Sequence, residues 1–489
     1  MYFSKFRQGI IGIDTEIPTP FGNKKMIYAD WVASGRLYQP IEDTMIHSVG
    51  PYCANTHTET SLTGSLMTQA YEESKKYIKR EVNANENDVL IFSGSGMTDS
   101  VNKLQRILGL RIPEKSEIYL DKLIRKNEND RPIIFITHLE HHSNHTSWLE
   151  TLADVEIINP DEQGLVDLNH FELLLEKYKN RPLKIASVSA CSNVTGIFTP
   201  YFKIAEMIHR EGGWCFVDFA CSAPYVEINM HPENSLQYLD AIFLSPHKFL
   251  GGPGTPGILV MSKNLYSNTV PDNSGGGTVF FTTPWKYHEY LDDIEIKEDG
   301  GTPPFLQGIK AALSFKLKKE MGVENMLSRE KLLVTTIMHK LKSIPNLTVL
   351  AAQHEHRIGA ISFYIHDLHF NLVVRILNDY FGIQVRGGCA CAGTYGHYLL
   401  NLNQLDSANI LKRIKAGESF ARPGWIRLSL HPTHTDEEIN VMLEAIEYVA
   451  KNHQELSKNY NYIPEKNTFE FKNFNTELEK NFTKNLFYN

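Results

Sequence analysis

The sequence predicts an α/β chain: a large domain built on a mostly parallel sheet, followed by a smaller α+β domain. Three observations predict it. Short apolar runs alternate with longer segments at helical spacing, the signature of strands joined by crossover helices. The texture changes after about Pro304, where a long Lys- and Glu-rich helical stretch begins. The chain has 489 residues, and a single core stops growing at about 250–300.

The elements follow in order. Val89–Phe92 is a short apolar run ending in a Ser/Gly turn, and Thr98–Leu110 then has apolar residues at helical spacing. Ile133–Thr137, Val155–Ile158, Ile185–Ser189, Cys215–Asp218 and Ala241–Leu244 read as buried strands. Tyr201–Arg210 reads as a helix stopped by Gly212-Gly213. Ile309–Ile344 reads as one long helix ended by Pro345. Strand-like runs at Leu347–Leu350 and Gly359–Tyr364, a helix at Asn371–Tyr380, a strand ending at Trp425–Leu430 and a helix at Asp436–Asn452 complete the smaller domain. The segment from about Gln454 to Asn489 has little period and reads as a loosely packed arm or a disordered one. The expected divisions are an N-terminal segment 1–60, a large domain 61–305, a small domain 306–453 and a tail 454–489.

Composition excludes several classes. The formal net charge is −8 and the cations form no stripe, so no nucleic-acid or membrane partner is expected. No run of about 18 apolar residues could span a bilayer. The start lacks a secretory signal, so a cytoplasmic protein is expected. Six scattered cysteines give no disulfide scaffold.

Several segments carry chemistry. In Ser245-Pro246-His247-Lys248, followed by Gly251 and Gly252, a lysine sits just past a buried strand, where ligands bind in an α/β sheet. Its amine can form an imine with a carbonyl cofactor. Asp218 ends the strand thirty residues upstream, where it could face a protonated ring nitrogen. Ser93-Gly94-Ser95-Gly96-Met97-Thr98 lies between a strand and a helix, an arrangement that holds phosphate. It matches neither the P-loop nor the dinucleotide glycine pattern. His138, His141, His142 and His145 tempt a metal reading, but their spacing fits no zinc motif, so no metal is expected. A histidine there could instead stack on a flat cofactor. Arg386-Gly387-Gly388-Cys389-Ala390-Cys391 places two thiols on a glycine loop beside an arginine, a setting that favours thiolate. Arg427 emerges from an apolar strand as a candidate fork for a carboxylate. Taken singly, each has a plain reading: a solvated loop lysine, a helix-capping acid, an ordinary turn, inert thiols, a surface arginine.

Taken in order, these segments resemble the class V aminotransferase family of fold-type I pyridoxal-5′-phosphate (PLP) enzymes, in its cysteine desulfurase and selenocysteine lyase branch. The resemblance covers about Tyr28 to Ala450. It rests on Tyr28-Ala29-Asp30, the His57 loop, Glu140-His141-His142-Ser143-Asn144 with Trp148, Ser192-Asn193-Val194-Thr195-Gly196, Ser245-Pro246-His247-Lys248, Gly275–Gly277 and Gly300-Gly301-Thr302-Pro303. It implies a large domain on a seven-stranded sheet, PLP as cofactor and a homodimer. Lys248 would hold the cofactor as a Schiff base and move protons. Asp218 would face the ring nitrogen, His141 would stack on the ring, and Asn193 would lie near the ring oxygen or substrate. Met97, Thr98, Ser245 and His247 would hold the phosphate, joined across the dimer by Thr282, or by Thr278. Arg427 would clamp the substrate carboxylate, with Arg386 and His57 also at the substrate. Cys391 falls at the position of the desulfurase nucleophile. The pattern is broken at Cys221, where the family has Gln, at Gly388-Cys389-Ala390, where it has histidines, and by a longer segment between Cys391 and Arg427.

The expected reaction is therefore conversion of L-cysteine, or selenocysteine, to alanine with an enzyme persulfide, passed on to a sulfur-acceptor protein. A PLP-dependent aminotransferase, β-lyase or epimerase-like enzyme is one alternative. A degenerate homologue that only binds or regulates is another.

Overall fold

The computed structural model describes residues 2–118, 130–472, 474 and 477–488. They divide into two compact units. One comprises Ser34–Ser192 and Phe198–Glu324, the other Met1–Ala33, Asn193–Ile197 and Asn325–Asn489.

The larger unit is organised by seven strands: β1 (Asp88–Ser93), β2 (Ile133–Thr137), β3 (Asp154–Ile158), β4 (Lys184–Ser189), β5 (Trp214–Asp218), β6 (Ala241–Leu244) and β7 (Gly257–Ser262). Their order across the sheet is β1-β7-β6-β5-β4-β2-β3. Only β7 runs against its neighbours, pairing antiparallel with both β1 and β6. Every residue of β1, β2, β4 and β6 is buried, as expected of parallel strands covered on both faces. Helix α1 (Leu62–Glu81) is capped by Ser61, whose hydroxyl accepts the Gly64 N–H. Helix α2 (Met97–Ile107) sends Val101, Leu104 and Ile107 into the sheet core, and α3 (His142–Leu149) buries Trp148. Helix α4 (Tyr201–Arg210) links β4 to β5. The reversed strand β7 escaped the sequence reading because its Gly257 looks like part of the preceding glycine turn. Its lack of a side chain is required: a Cβ there would lie 2.3 Å from the Gly96 carbonyl oxygen.

The expected single helix 309–344 is two, α5 (Phe305–Met321) and α6 (Val323–Lys342), broken at Gly322, which takes a positive φ of 76°.

The smaller unit holds a four-stranded antiparallel sheet of β8 (Leu347–Val349), β9 (Ala360–Ile365), β10 (Arg386–Gly388) and β11 (Trp425–Ser429), in the order β8-β9-β11-β10. Helices α7 (Phe370–Phe381) and α8 (Asp436–Ser457) close its core, where Ile361, Phe363, Ile376, Leu428 and Ile446 are buried together. Thr435 and Glu438 form a capping box at the start of α8. The segment after Gln454 is no loose arm where it is described. Tyr460–Ile463 and Thr468–Phe471 form an antiparallel hairpin, and Tyr460 and Phe469 are buried in the core. Among the described residues no helix is long and apolar enough to cross a membrane.

Candidate active site

The larger unit gathers its chemistry at the carboxyl ends of β1, β2, β5 and β6. The turn after β1 needs glycine. A Cβ on Gly94, at φ 52°, would lie 2.0 Å from Asp99 Oδ2. A Cβ on Gly96 would meet Ser245 Oγ at 3.2 Å and the His247 ring at 3.6 Å. No side chain of the Gly96 N-cap closes the start of α2. Instead the Met97 N–H donates to Ser245 Oγ at 2.9 Å, and the Thr98 and Ser143 hydroxyls bond at 2.6 Å. Met97, Thr98, Ser245 and His247, four positions expected at a phosphate, thus share one cradle of hydroxyls and backbone donors. Burial pulls the His247 pKa down to about 4, helped by the Lys248 charge, so its ring is neutral at pH 7. Ser143 is an addition, carried by the Glu140–Asn144 motif but not singled out from sequence.

Asp218 ends β5 in register with Ser189 on one side and Phe243 on the other. Its Oδ1 accepts the Ala220 N–H at 2.8 Å. Burial pushes its pKa up to about 6, while the Ala220 N–H and the Lys248 charge pull the other way. A carboxylate desolvated in this way gains most from a cation beside it. Lys248 ends a one-turn helix, Pro246–Lys248, just past β6. The Gly35 N–H holds this turn through the His247 carbonyl at 2.9 Å.

His141 is the N-cap of α3, and its Nδ1 accepts the Ser143 N–H at 3.1 Å. The ring proton is thereby assigned to Nε2. Beneath it Glu140 is fully buried. It accepts from Thr137 Oγ1 at 2.6 Å, Ser189 Oγ at 2.6 Å, the Ser189 N–H at 2.9 Å and Asn144 Nδ2 at 2.7 Å. His138 turns away to the Gly164 carbonyl, which it bonds through Nε2, while the His142 ring lies 6.3 Å from that of His141. Among the described residues, no three His, Cys, Asp or Glu side chains are grouped to hold a metal. Cys221 donates to the Ser192 carbonyl, and burial followed by Cys221 itself raises the Cys191 thiol. Both thiols are buried.

His57 is exposed and bonds the Gly301 carbonyl at 3.3 Å, against Gly277. Of the two threonines, Thr278 is buried and donates to the Gly275 carbonyl at 2.7 Å, whereas Thr282 is exposed on a hairpin strand, Val279–Thr282.

The smaller unit gathers Arg427, Arg386, Asn193 and Cys391. Arg427 is only 3% exposed, and its Nη2 pairs with Asp30 Oδ1 at 2.7 Å. Arg386 holds the other oxygen of Asp30 at 3.0 Å. Two guanidiniums therefore share one carboxylate, leaving a net positive charge for a further anion. Arg427 Nη1 donates to the Asn193 carbonyl at 3.1 Å. Cys389 and Cys391 lie between β10 and a short helix, Gly393–Leu399, and Cys391 is exposed. Arg386 interacts electrostatically with Cys391.

The residues of the larger unit fit PLP. The uncapped start of α2 and the hydroxyls around it suit its phosphate, Gly96 leaves room where a Cβ would crowd Ser245, and the desolvated Asp218 suits a pyridinium.

The fold and these side chains define a class. The class-V aminotransferase family matches residues 27–442, and the chain belongs to that family. Among its relatives is a protein of Halalkalibacterium halodurans named probable cysteine desulfurase, 27% identical over 371 residues, covering 75% of this chain and 84% of the relative. Another with that name, from Staphylococcus epidermidis, is 28% identical over 377 residues, 76% of this chain and 84% of its own. A solved cysteine desulfurase from Thermococcus onnurineus superimposes with a TM-score of 0.73 at 23% identity, over 92% of this chain and 98% of the other, a likeness of fold.

Proposed function

We propose that the protein is a PLP-dependent cysteine desulfurase that converts L-cysteine to L-alanine and leaves the sulfur on Cys391. The observation that carries the reading is an exposed thiol, Cys391, on a glycine turn beside Arg386, in a chain that also presents Lys248 and the desolvated Asp218. The naming of its relatives supports the same activity.

When bound, PLP supplies an imine-forming carbonyl and a ring that accepts the electrons released at the substrate Cα. Lys248 is the residue that anchors it and moves the Cα proton. Asp218, ionised at pH 7, would pair with its ring nitrogen, His141 would stack on its ring with Nε2–H as a donor, and Met97, Thr98, Ser245 and His247 would hold its phosphate. Arg427 and Arg386 orient the substrate carboxylate, with Asn193 and His57 beside the substrate. Cys391 thiolate then forms an S–S bond to the substrate sulfur as the substrate Cβ–S bond breaks. Cysteine and enzyme thiol become alanine and enzyme persulfide, with no outside oxidant. The thiol of a sulfur-acceptor protein takes the outer sulfur as its own persulfide, and Cys391 returns to the thiol. The working unit is a homodimer, in which Thr282 serves the partner's phosphate site. The same hairpin leaves Trp285 83% exposed, a surface suited to burial against a second copy.

The test is incubation of purified holoenzyme with L-cysteine and a reductant, with sulfide and alanine measured together. Equal amounts of both, lost in Cys391→Ala, support the reading. Pyruvate in place of alanine, or activity kept in Cys391→Ala, overturns it in favour of β-elimination.

A further inference from the structure

Two residues of the smaller unit are joined in a way their separate roles do not explain. Asn193 accepts Arg427 Nη1–H at its backbone carbonyl and donates its side-chain Nδ2–H to the Ala390 carbonyl, at 2.7 Å. Ala390 and Cys391 both occupy the left-handed region, at φ 51° and 56°. Neither is glycine, so the turn is held against a steric cost. The turn bonds itself from the Ala392 N–H to the Cys389 carbonyl, at 3.0 Å. Asn193 Nδ2 ties the turn at Ala390 to a segment 197 residues away.

Both tying residues also carry an unmet polar atom. Asn193 Oδ1 and Arg427 Nε are buried and have no hydrogen-bond partner among the described residues. Asn193 is 7% exposed and Arg427 is 3% exposed, so solvent reaches them poorly. An α-amino acid brings what both lack: a carboxylate oxygen for Nε–H and an N–H for Oδ1. The amide group is planar, so fixing Oδ1 fixes Nδ2. A ligand bonded to Oδ1 therefore restricts rotation of Asn193 and strengthens its hold on Ala390.

We propose that Asn193 is a positioning residue that couples occupancy of the Arg427 clamp to the posture of the turn carrying Cys391. The amino-acid class of the ligand rests on the desulfurase reading above; the coupling itself is a property of the turn. Empty, the clamp leaves the Asn193 side chain held through Nδ2 alone, and the thiol moves with the turn. Filled, it fixes the amide and presents Cys391 in one posture.

The experiment follows alkylation of Cys391 by iodoacetamide in the full-length holoenzyme, read by peptide fragmentation so that Cys389 and Cys53 are distinguished. The probe is L-alanine, which offers carboxylate and amine without a thiol. In the wild type, L-alanine slows alkylation several-fold. Asn193→Asp keeps Oδ1 and the side-chain shape but loses the donor to Ala390. Losing one hydrogen bond of about 1.4 kcal/mol opens the turn, so alkylation without ligand runs about tenfold faster. L-alanine, whose binding is followed by the visible absorbance of the cofactor, no longer slows it. Should Asn193→Asp fold poorly, exchange of the Ala392 amide in the wild type is the second reading, and L-alanine must increase its protection. Equal alkylation rates in the variant and wild type, an L-alanine effect that survives in the variant, or unchanged Ala392 protection each overturn the coupling. None of these readouts needs sulfur transfer, so failure of the desulfurase reading shows separately, as absent sulfide with the coupling intact.

Discussion

Replacing Asp218 by asparagine isolates the energetic cost of the larger unit's buried acid. Burial raises its pKa from the ordinary 3.8 to about 6. The ionised carboxylate therefore costs the cofactor-free protein about 3 kcal/mol of stability at pH 7. The sign is opposite to that of a salt-bridged acid. The folded chain binds the proton more tightly than the unfolded one, so stability rises as pH falls through about 6, and the gain is complete below 3.8. Between pH 7 and pH 5 this one group contributes a gain of about 1.3 kcal/mol. Asp218→Asn keeps Oδ1 as acceptor for Ala220 N–H but cannot ionise, so that part of the slope disappears. Glu140, pushed up to about 7 by burial against the hydrogen bonds it accepts, adds a slope of its own. It is present in both proteins and cancels in the difference. The assay is urea denaturation of the PLP-free wild type and variant at both pH values. The reasoning predicts a pH-dependent difference of about 1 kcal/mol between them, reduced in the wild type when PLP is added, because a cation beside the acid lowers its pKa. Identical slopes in the two apoproteins would refute it.

Other outcomes follow from the same geometry. Lys248→Ala should lose the visible imine band while PLP still binds through the Met97, Thr98 and Ser245 cradle, as equilibrium dialysis would show. Gly96→Ala places a Cβ 3.2 Å from Ser245 Oγ, and crowding of about 1–2 kcal/mol should weaken PLP binding about tenfold in a fluorescence titration. Arg427→Lys removes the fork that spans Asp30 and Asn193, and should lower kcat/KM for L-cysteine about tenfold or more. Phe469→Ala empties a buried position in the hairpin and should destabilise the smaller unit by about 3–5 kcal/mol, measured by urea denaturation, with the PLP absorbance of the holoenzyme unchanged under native conditions.

The fold was legible where its signals are local. Buried parallel strands read as unbroken apolar runs, and Asp218 and Lys248 sit where such a run gives way to a turn. The reversed strand β7 was not legible, because a strand's direction depends on its neighbours. The helix break at Gly322 was missed because a lone glycine within a helical pattern is usually tolerated. The hairpin after Gln454 has its apolar residues spaced by a turn that local periodicity does not capture. The smaller unit's site is the clearest limit. Arg427 was a candidate on its own strand, but its partner Asp30 lies 397 residues away. Asn193 was a candidate beside substrate, but its bond to Ala390 spans 197 residues. No local pattern encodes either pairing, and both needed the folded chain.

The most direct test of the central claim is mass spectrometry of the holoenzyme after brief reaction with L-cysteine, without reductant. The account predicts one added sulfur atom on Cys391, removed by a thiol reductant and absent from Cys391→Ala. An unmodified Cys391 in an enzyme that consumes L-cysteine would contradict it and point to chemistry in which that thiol takes no sulfur.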